Sequence, residues 1–213
     1  MQITLSSVKK IKCHSKRYDI ETSTKNFFAN RMLVHNSSFT AFTYLADFFG
    51  FCWKKFGVCS RKIWLKTRSK NYYWEMADRL RLKQKLIGLS NAIIIQGEIV
   101  GPPVQENKYN KTERDLYVFN VFKNGNILSL ENMEEFCANQ GLTTVPILNR
   151  SFVPSRDIGE GKEVSDVVKA IMLMSQGDST LFKRNREGIV VRLKSNPNVS
   201  FKAINPYFEM EEK

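Results

Sequence analysis

Four short segments carry, in chain order, side chains that could do chemistry together: Arg61 in SRK, Glu98 in QGEIVGP, Glu187 in REGIVVR and Lys202 in FKAINP. Both acids stand beside a glycine in a stretch rich in β-formers. That setting suggests carboxylates projecting into a cleft rather than onto a solvated face. Any one of the four could be an ordinary surface charge, but the ordered set is harder to explain that way. Carboxylate oxygens hold hard divalent cations, and Lys and Arg stabilise phosphate charge. A second cluster lies near the start, where His35, Asn36 and Ser37 place an imidazole, a primary amide and a hydroxyl side by side.

The elements that must position these groups are mixed α and β. SSFTAFTYL and FGVCSRKIWLK are predicted strands, and AIIIQGEIVG and RDLYVFNVFKNG read as buried strands, the latter ending in an Asn-Gly turn. NYYWEMADRLRLKQKLIGL has helical spacing, with Trp74, Ala77, Leu80 and the Leu82–Leu86 face apolar. SLENMEEFCANQG opens on a capping-type serine and stops at Gly141, which predicts a helix, and VSDVVKAIMLMSQG predicts another. REGIVVRLK and VSFKAINPYF are the closing strands. The fold class expected is α+β.

At 213 residues and 42% hydrophobic content the chain can form one large domain, or a domain with an appendage. No apolar run is long enough to cross a bilayer and no signal core is present, so neither a membrane partner nor secretion is expected. Cys13, Cys52, Cys59 and Cys137 lack C-x-x-C spacing and read as free thiols of a reducing, cytoplasmic compartment. The net charge of +12 favours a polyanionic partner, with five of those charges falling in residues 1–36.

Residues 1–36 read as short strands, in QITLSSVKKIKC, KRYDIETS and FFANRMLVHN, and are too few to bury a core alone. They resemble the C-terminal end of an intein, through Tyr18, Asp19, Asn26, Phe27, Phe28, Ala29, Asn30, His35, Asn36 and Ser37. The resemblance implies that the Asn36 side-chain amide attacks its own carbonyl and breaks the Asn36–Ser37 bond. His35 would assist as acid or base, and Ser37 would accept the upstream polypeptide as an ester. Lys25 and Arg31 stand where such ends often carry His and Gly. The implied partner is an N-terminal split-intein half on another polypeptide, and the initial Met favours a true split over an intein that has lost its front.

From residue 37 to 213 the order of motifs resembles the covalent nucleotidyltransferases, and IQGEIVGPPVQENKY with DLYVFNVF looks most like their ATP-dependent RNA ligases. The family's first motif is Lys-x-Asp-Gly followed by Ser or Thr, and Ser37-Ser38 resembles the residues just after its glycine. The nucleotidyltransferase domain would thus be incomplete at its N-terminus, with its AMP-accepting lysine on the upstream piece. Alone, this chain is expected to be inactive as a ligase. The resemblance implies ATP with Mg²⁺ or Mn²⁺ as cofactors, RNA as partner, and an ATP-grasp-like domain of antiparallel sheets flanked by helices. It places Arg61 on a phosphate or ribose, Glu98 on the ribose hydroxyls or a metal-bound water, and Phe119 on adenine. Glu187 would help bind the metal and Lys202 would neutralise the α-phosphate. Ser200 and Phe201 depart from the paired lysines common in the last motif, and Lys183, Arg184 and Arg186 could either add phosphate contacts or form an ordinary exposed basic turn. A DNA ligase, a capping-type enzyme and a non-catalytic basic nucleic-acid-binding module are the alternatives.

Overall fold

The computed structural model of the chain describes residues 5–11, 17–22, 27–29, 32–34, 38–49, 51–61, 63–66, 71–102, 104–107, 110–181 and 184–208. Two antiparallel pairs come first: β1 (Leu5–Ile11) with β2 (Arg17–Thr22), and β3 (Phe27–Ala29) with β4 (Met32–Val34). They match the short strands expected there. The expected boundary between Asn36 and Ser37 lies outside the described residues.

The chain divides into two compact units, residues 1–126 with 133–144 and residues 127–132 with 145–213. The first is built on a long hairpin, β5 (Ser38–Phe48) and β6 (Phe51–Cys59), followed by the short β7 (Trp64–Leu65). Only the two ends of this hairpin were expected from sequence. FGVCSRKIWLK, expected as one strand, is broken at Ser60–Arg61, where the Ser60 N–H donates to the Ile63 carbonyl at 3.0 Å and turns the chain back on itself.

The single helix expected over residues 71–89 is two, α1 (Tyr72–Arg79) and α2 (Leu82–Ile87). Asn71 caps the first, its side chain accepting from the Tyr73 and Trp74 N–H groups at 3.0 Å. Arg81, at φ +52, breaks the run. The physical reason is phase. Leu82 lies five positions after Ala77, which would rotate it off the apolar stripe of an unbroken helix. The left-handed step brings Leu82 and Leu86 back to full burial.

The strands β8 (Ile93–Val100), β9 (Asp115–Lys123) and β10 (Asn126–Ile127) complete the sheet in the order β10-β9-β8-β5-β6-β7. Asn124 and Gly125, both at positive φ, form the expected Asn-Gly turn between β9 and β10. The helix α3 (Leu130–Asn139) starts at Ser129, whose hydroxyl accepts from the Asn132 N–H at 3.2 Å, and ends before Gly141 at φ +59. It leads to β11 (Thr143–Thr144), parallel to β9.

The second unit holds the short α4 (Pro154–Asp157), the helix α5 (Val164–Ser175), and the antiparallel pair β12 (Gly188–Arg192) and β13 (Ser200–Ile204). Mixed sheets with flanking helices agree with the α+β expectation. Among the described residues no helix is long and apolar enough to cross a membrane, and Cys52, Cys59 and Cys137 are free thiols.

Strand register sorts the large sheet into two faces, because directly opposed residues of neighbouring strands share a side. One face is apolar, with Phe39, Ala41, Val58, Ile93, Ile95 and Val118 buried. Phe39 stacks at 6.4 Å on Tyr73, and Phe56 meets Trp74 edge-on at 5.9 Å, so this face receives the helices. The opposite face is left for polar work.

Candidate nucleotide site

On that opposite face the register aligns two rows of polar residues. Ser38 pairs with Glu98, and Glu98 with Tyr117. The next row holds Asn120, Gln96, Thr40, Cys59 and Trp64, each opposite its neighbour. β8 makes this possible by alternation: Ile93, Ile95 and Ile99 turn into the core, which sends Gln96 and Glu98 the other way. Ser38 and Gln96 are nonetheless 2% and 3% exposed, so polar atoms here are largely withdrawn from water.

A bulge separates the two rows. The pairing steps from Gln96–Asn120 to Gly97–Val118, leaving Phe119 as the extra residue on β9. Bulges re-aim side chains and occur often beside active sites. Gly97 permits it, because a Cβ there would come within 2.7 Å of both Leu116 Cδ1 and the Tyr117 carbonyl oxygen. The glycine next to Glu98 therefore lets β9 approach closely and fixes where the acid emerges.

Hydrogen bonding on this face is specific. Asn120 Nδ2 donates to Gln96 Oε1 at 2.9 Å, while the buried Asn120 Oδ1 has no donor among the described residues. A buried acceptor without a donor is costly, and a ligand N–H or a cation would satisfy it. Lys111 Nζ lies 3.0 Å from the Tyr117 hydroxyl and pairs with Asp115. Partial burial works against the Lys111 charge, but these two partners outweigh it and hold the ammonium above its usual range. Asn120 gains its meaning only through the cross-strand bond to Gln96, and Lys111 only where the start of β9 brings Asp115 and Tyr117 to its ammonium.

Arg61 is half-buried in the turn between β6 and β7, close in register to the Cys59–Trp64 pair. Arg61, Glu98 and Phe119 thus all belong to the first unit.

Glu187 and Lys202 belong to the second, where they form an ion pair, Lys202 Nζ donating to Glu187 Oε1. Asn205, fully buried, fixes the backbone beneath the pair. Its N–H donates to the Glu187 carbonyl and its Nδ2 to the Arg186 carbonyl, both at 2.9 Å, while its Oδ1 accepts from the Tyr207 N–H at 3.1 Å. Gly188, at φ +152, again sits beside the acid at a place where a Cβ would collide with a backbone oxygen, that of Ala203. The Arg186 guanidinium turns to the Gly177 carbonyl, with Nε at 3.3 Å, and Arg184 is half-buried nearby in sequence. Lys183 lies outside the described residues, as do His35, Asn36, Ser37, Lys25 and Arg31.

Among the described residues no three His, Cys, Asp or Glu side chains are grouped as a ready-made metal cage. Glu98 and Glu187 are oxygen donors of the kind that Mg²⁺ and Mn²⁺ take one or two of, the other ligands coming from phosphate and water.

A protein-family model described as RNA ligase matches residues 2–204, a span that includes residues 2–36. Solved structures of Naegleria gruberi RNA ligase share the fold. The enzyme with PPi is 23% identical at a TM-score of 0.66. A mutant with ATP and Mn is likewise 23% identical at 0.66, and one with AMP and Mn is 24% identical at 0.66. Each match covers 84% of this chain and 50% of the other, so the chain spans about half the length of the structures it matches. No curated protein matches the chain.

Proposed function

The chain belongs to the RNA ligase family, and on that premise we propose that it supplies most of the nucleotidyltransferase domain of an ATP-dependent RNA ligase whose AMP-accepting lysine arrives on another polypeptide. The observation that carries this reading is the pairing of Ser38 with Glu98. A segment joined ahead of Ser38 would lead straight into the row that holds Glu98. That is where a Lys-x-Asp-Gly sequence ending just before Ser37 would have to deliver its lysine.

In the completed enzyme that lysine attacks the α-phosphorus of ATP and pyrophosphate leaves. AMP then passes to an RNA 5′-phosphate, and a 3′-hydroxyl attacks to seal the strand and release AMP. Glu98 holds the ribose hydroxyls or a metal-bound water, Phe119 covers the adenine, and Arg61 contacts phosphate or ribose. Lys202 stabilises charge developing at the α-phosphate, an electrostatic role that needs a fixed cation. Its present partner Glu187 is the acid proposed to bind metal, so nucleotide and metal would each take over one member of the pair. Glu187 in the second unit and Glu98 in the first are each a carboxylate that would ligate Mg²⁺ or Mn²⁺, and the metal would supply charge neutralisation on the phosphates. An ATP-grasp-like nucleotidyltransferase domain and a cytoplasmic location complete this reading.

The covalent completion proceeds by protein splicing in trans, with residues 1–36 as the C-terminal intein fragment. Asn36 cyclises, His35 moves the proton or polarises the carbonyl, and Ser37 carries the upstream acyl group before it shifts to nitrogen. The support is the run of motif residues from Tyr18 to Ser37.

One finding favours a second reading: the family match begins at residue 2. Residues 1–36 would then be native ligase sequence, and one of their own lysines would accept AMP. Incubation with α-labelled ATP and Mn²⁺ separates the two. The proposal expects no adduct on the purified chain and an adduct once the upstream piece is supplied. Labelling of the chain alone would overturn it.

A further inference from the structure

The polar rows do not end the face they occupy. Along β5 the same side continues from Ser38 and Thr40 to Phe42 and Tyr44, and the paired positions on β6 and β7 add Lys55, Trp53, Phe51 and Trp64. Phe42, Tyr44 and Trp64 form one cluster, with ring centroids 5.7 Å apart for Phe42–Tyr44, 5.3 Å for Phe42–Trp64 and 5.2 Å for Tyr44–Trp64. The cluster is not core. Trp64 is 51% exposed, and farther along the hairpin Trp53 is 42% and Phe51 77% exposed. The Lys55 ammonium sits 5.1 Å from the Trp53 ring centre, which places a cation among the aromatics.

We infer that this aromatic track is a stacking platform for unpaired RNA bases, leading away from the nucleotide site. Strand rise puts Phe42 about 13 Å and Tyr44 about 20 Å from Ser38, the reach of a few nucleotides of extended strand. Every base has a π-face, so rings spaced along a groove hold single strands with little regard to sequence, while nearby cations take the phosphates. The chain's net charge of +12 suits a polyanion better than an apolar protein surface. Lys54, on the opposite side of the same strand, is tied to the Leu89 and Asn91 carbonyls, which leaves Lys55 as the β6 lysine on the ring-bearing side. Only the identity of the polymer rests on the ligase reading; the stacking surface itself does not.

The test needs no ATP. The full chain is titrated with fluorescent oligouridylate of about twelve nucleotides, with an oligomer of equal length whose bases are replaced by abasic sugars, and with duplex RNA. The single strand is expected to bind most tightly, to quench tryptophan emission, and to lose about tenfold in affinity with Trp64→Ala or Tyr44→Ala. Trp64→Phe should restore most of the loss, and the dependence on salt should stay unchanged, because phosphate contacts are untouched. Equal binding of the abasic oligomer, preference for duplex, absence of RNA binding, or indifference to Trp64→Ala would each overturn the platform. So would sedimentation showing that Trp64→Ala dissolves a self-associated form while RNA affinity is retained, since the face would then serve a second copy of the chain. If stacking holds while the completed protein joins no RNA ends, the ligase reading fails and the platform stands.

Discussion

Ser38 and Glu98 face one another across β5 and β8. Ser38, the second residue after the expected junction, is 2% exposed and stands beside the acid expected at the nucleotide. A buried residue at such a point tolerates little added volume. Ser38→Ala in the completed ligase should retain adenylylation, whereas Ser38→Tyr should lose at least tenfold in the rate of AMP transfer to enzyme and about 1–3 kcal/mol of stability. Single-turnover labelling and chemical denaturation check both.

Asn205 is expected to govern the second unit's acid without touching substrate. Its side chain makes two hydrogen bonds in full burial, to the Arg186 carbonyl and from the Tyr207 N–H. Asn205→Ala removes both and leaves buried backbone groups unpaired, which should cost about 2–4 kcal/mol. The Asn205 N–H still holds the Glu187 carbonyl, but the adjoining Arg186 carbonyl loses its anchor, so the metal concentration needed for half-maximal ligation should rise even at temperatures where the variant is fully folded. A merely structural role would leave that metal dependence unmoved.

The thiols give a pH-dependent signature. Burial pushes Cys59 and Cys137 from an ordinary value of 9.0 up to about 11. Near pH 8 both should alkylate far more slowly than the exposed Cys52. Below about pH 9 these thiols are protonated in folded and unfolded chains alike, so they add no pH dependence. Between about 9 and 11 the unfolded chain ionises first and binds fewer protons than the folded one, so their linkage lowers stability as pH rises. Iodoacetamide labelling followed by peptide mapping, and denaturation midpoints across pH 8 to 11, would show it.

Much of the architecture was legible from local pattern. The apolar run in AIIIQGEIVG marked β8 as a buried strand, the glycine beside it set Glu98 apart, and Ser129 with Gly141 framed α3. What escaped depended on partners distant in sequence. Nothing in ADFFGFCWKK alternates cleanly, because aromatic residues occupy its solvent-facing positions, so the tip of the β5–β6 hairpin went unread. The break at Arg81 falls on a residue that is not a helix breaker, and tertiary burial of Leu82 decides it. The bulge at Phe119 exists only in the pairing with Gln96 and Gly97. Asn205 before Pro206 looks like an ordinary turn residue until its bonds to the Glu187 and Arg186 backbone are seen. Likewise, the acids and cations were legible one by one, but which of them meet was not.

The origin of the nucleotide-accepting lysine is the point on which the account turns. Peptide mapping by mass spectrometry of the AMP-bearing residue in active ligase measures it directly. The expected result is AMP on a lysine absent from these 213 residues, within a peptide that continues without interruption into Ser37, residues 1–36 having departed. AMP on Lys9, Lys10, Lys12, Lys16 or Lys25 of this chain, with Asn36 still joined to Ser37, would contradict it.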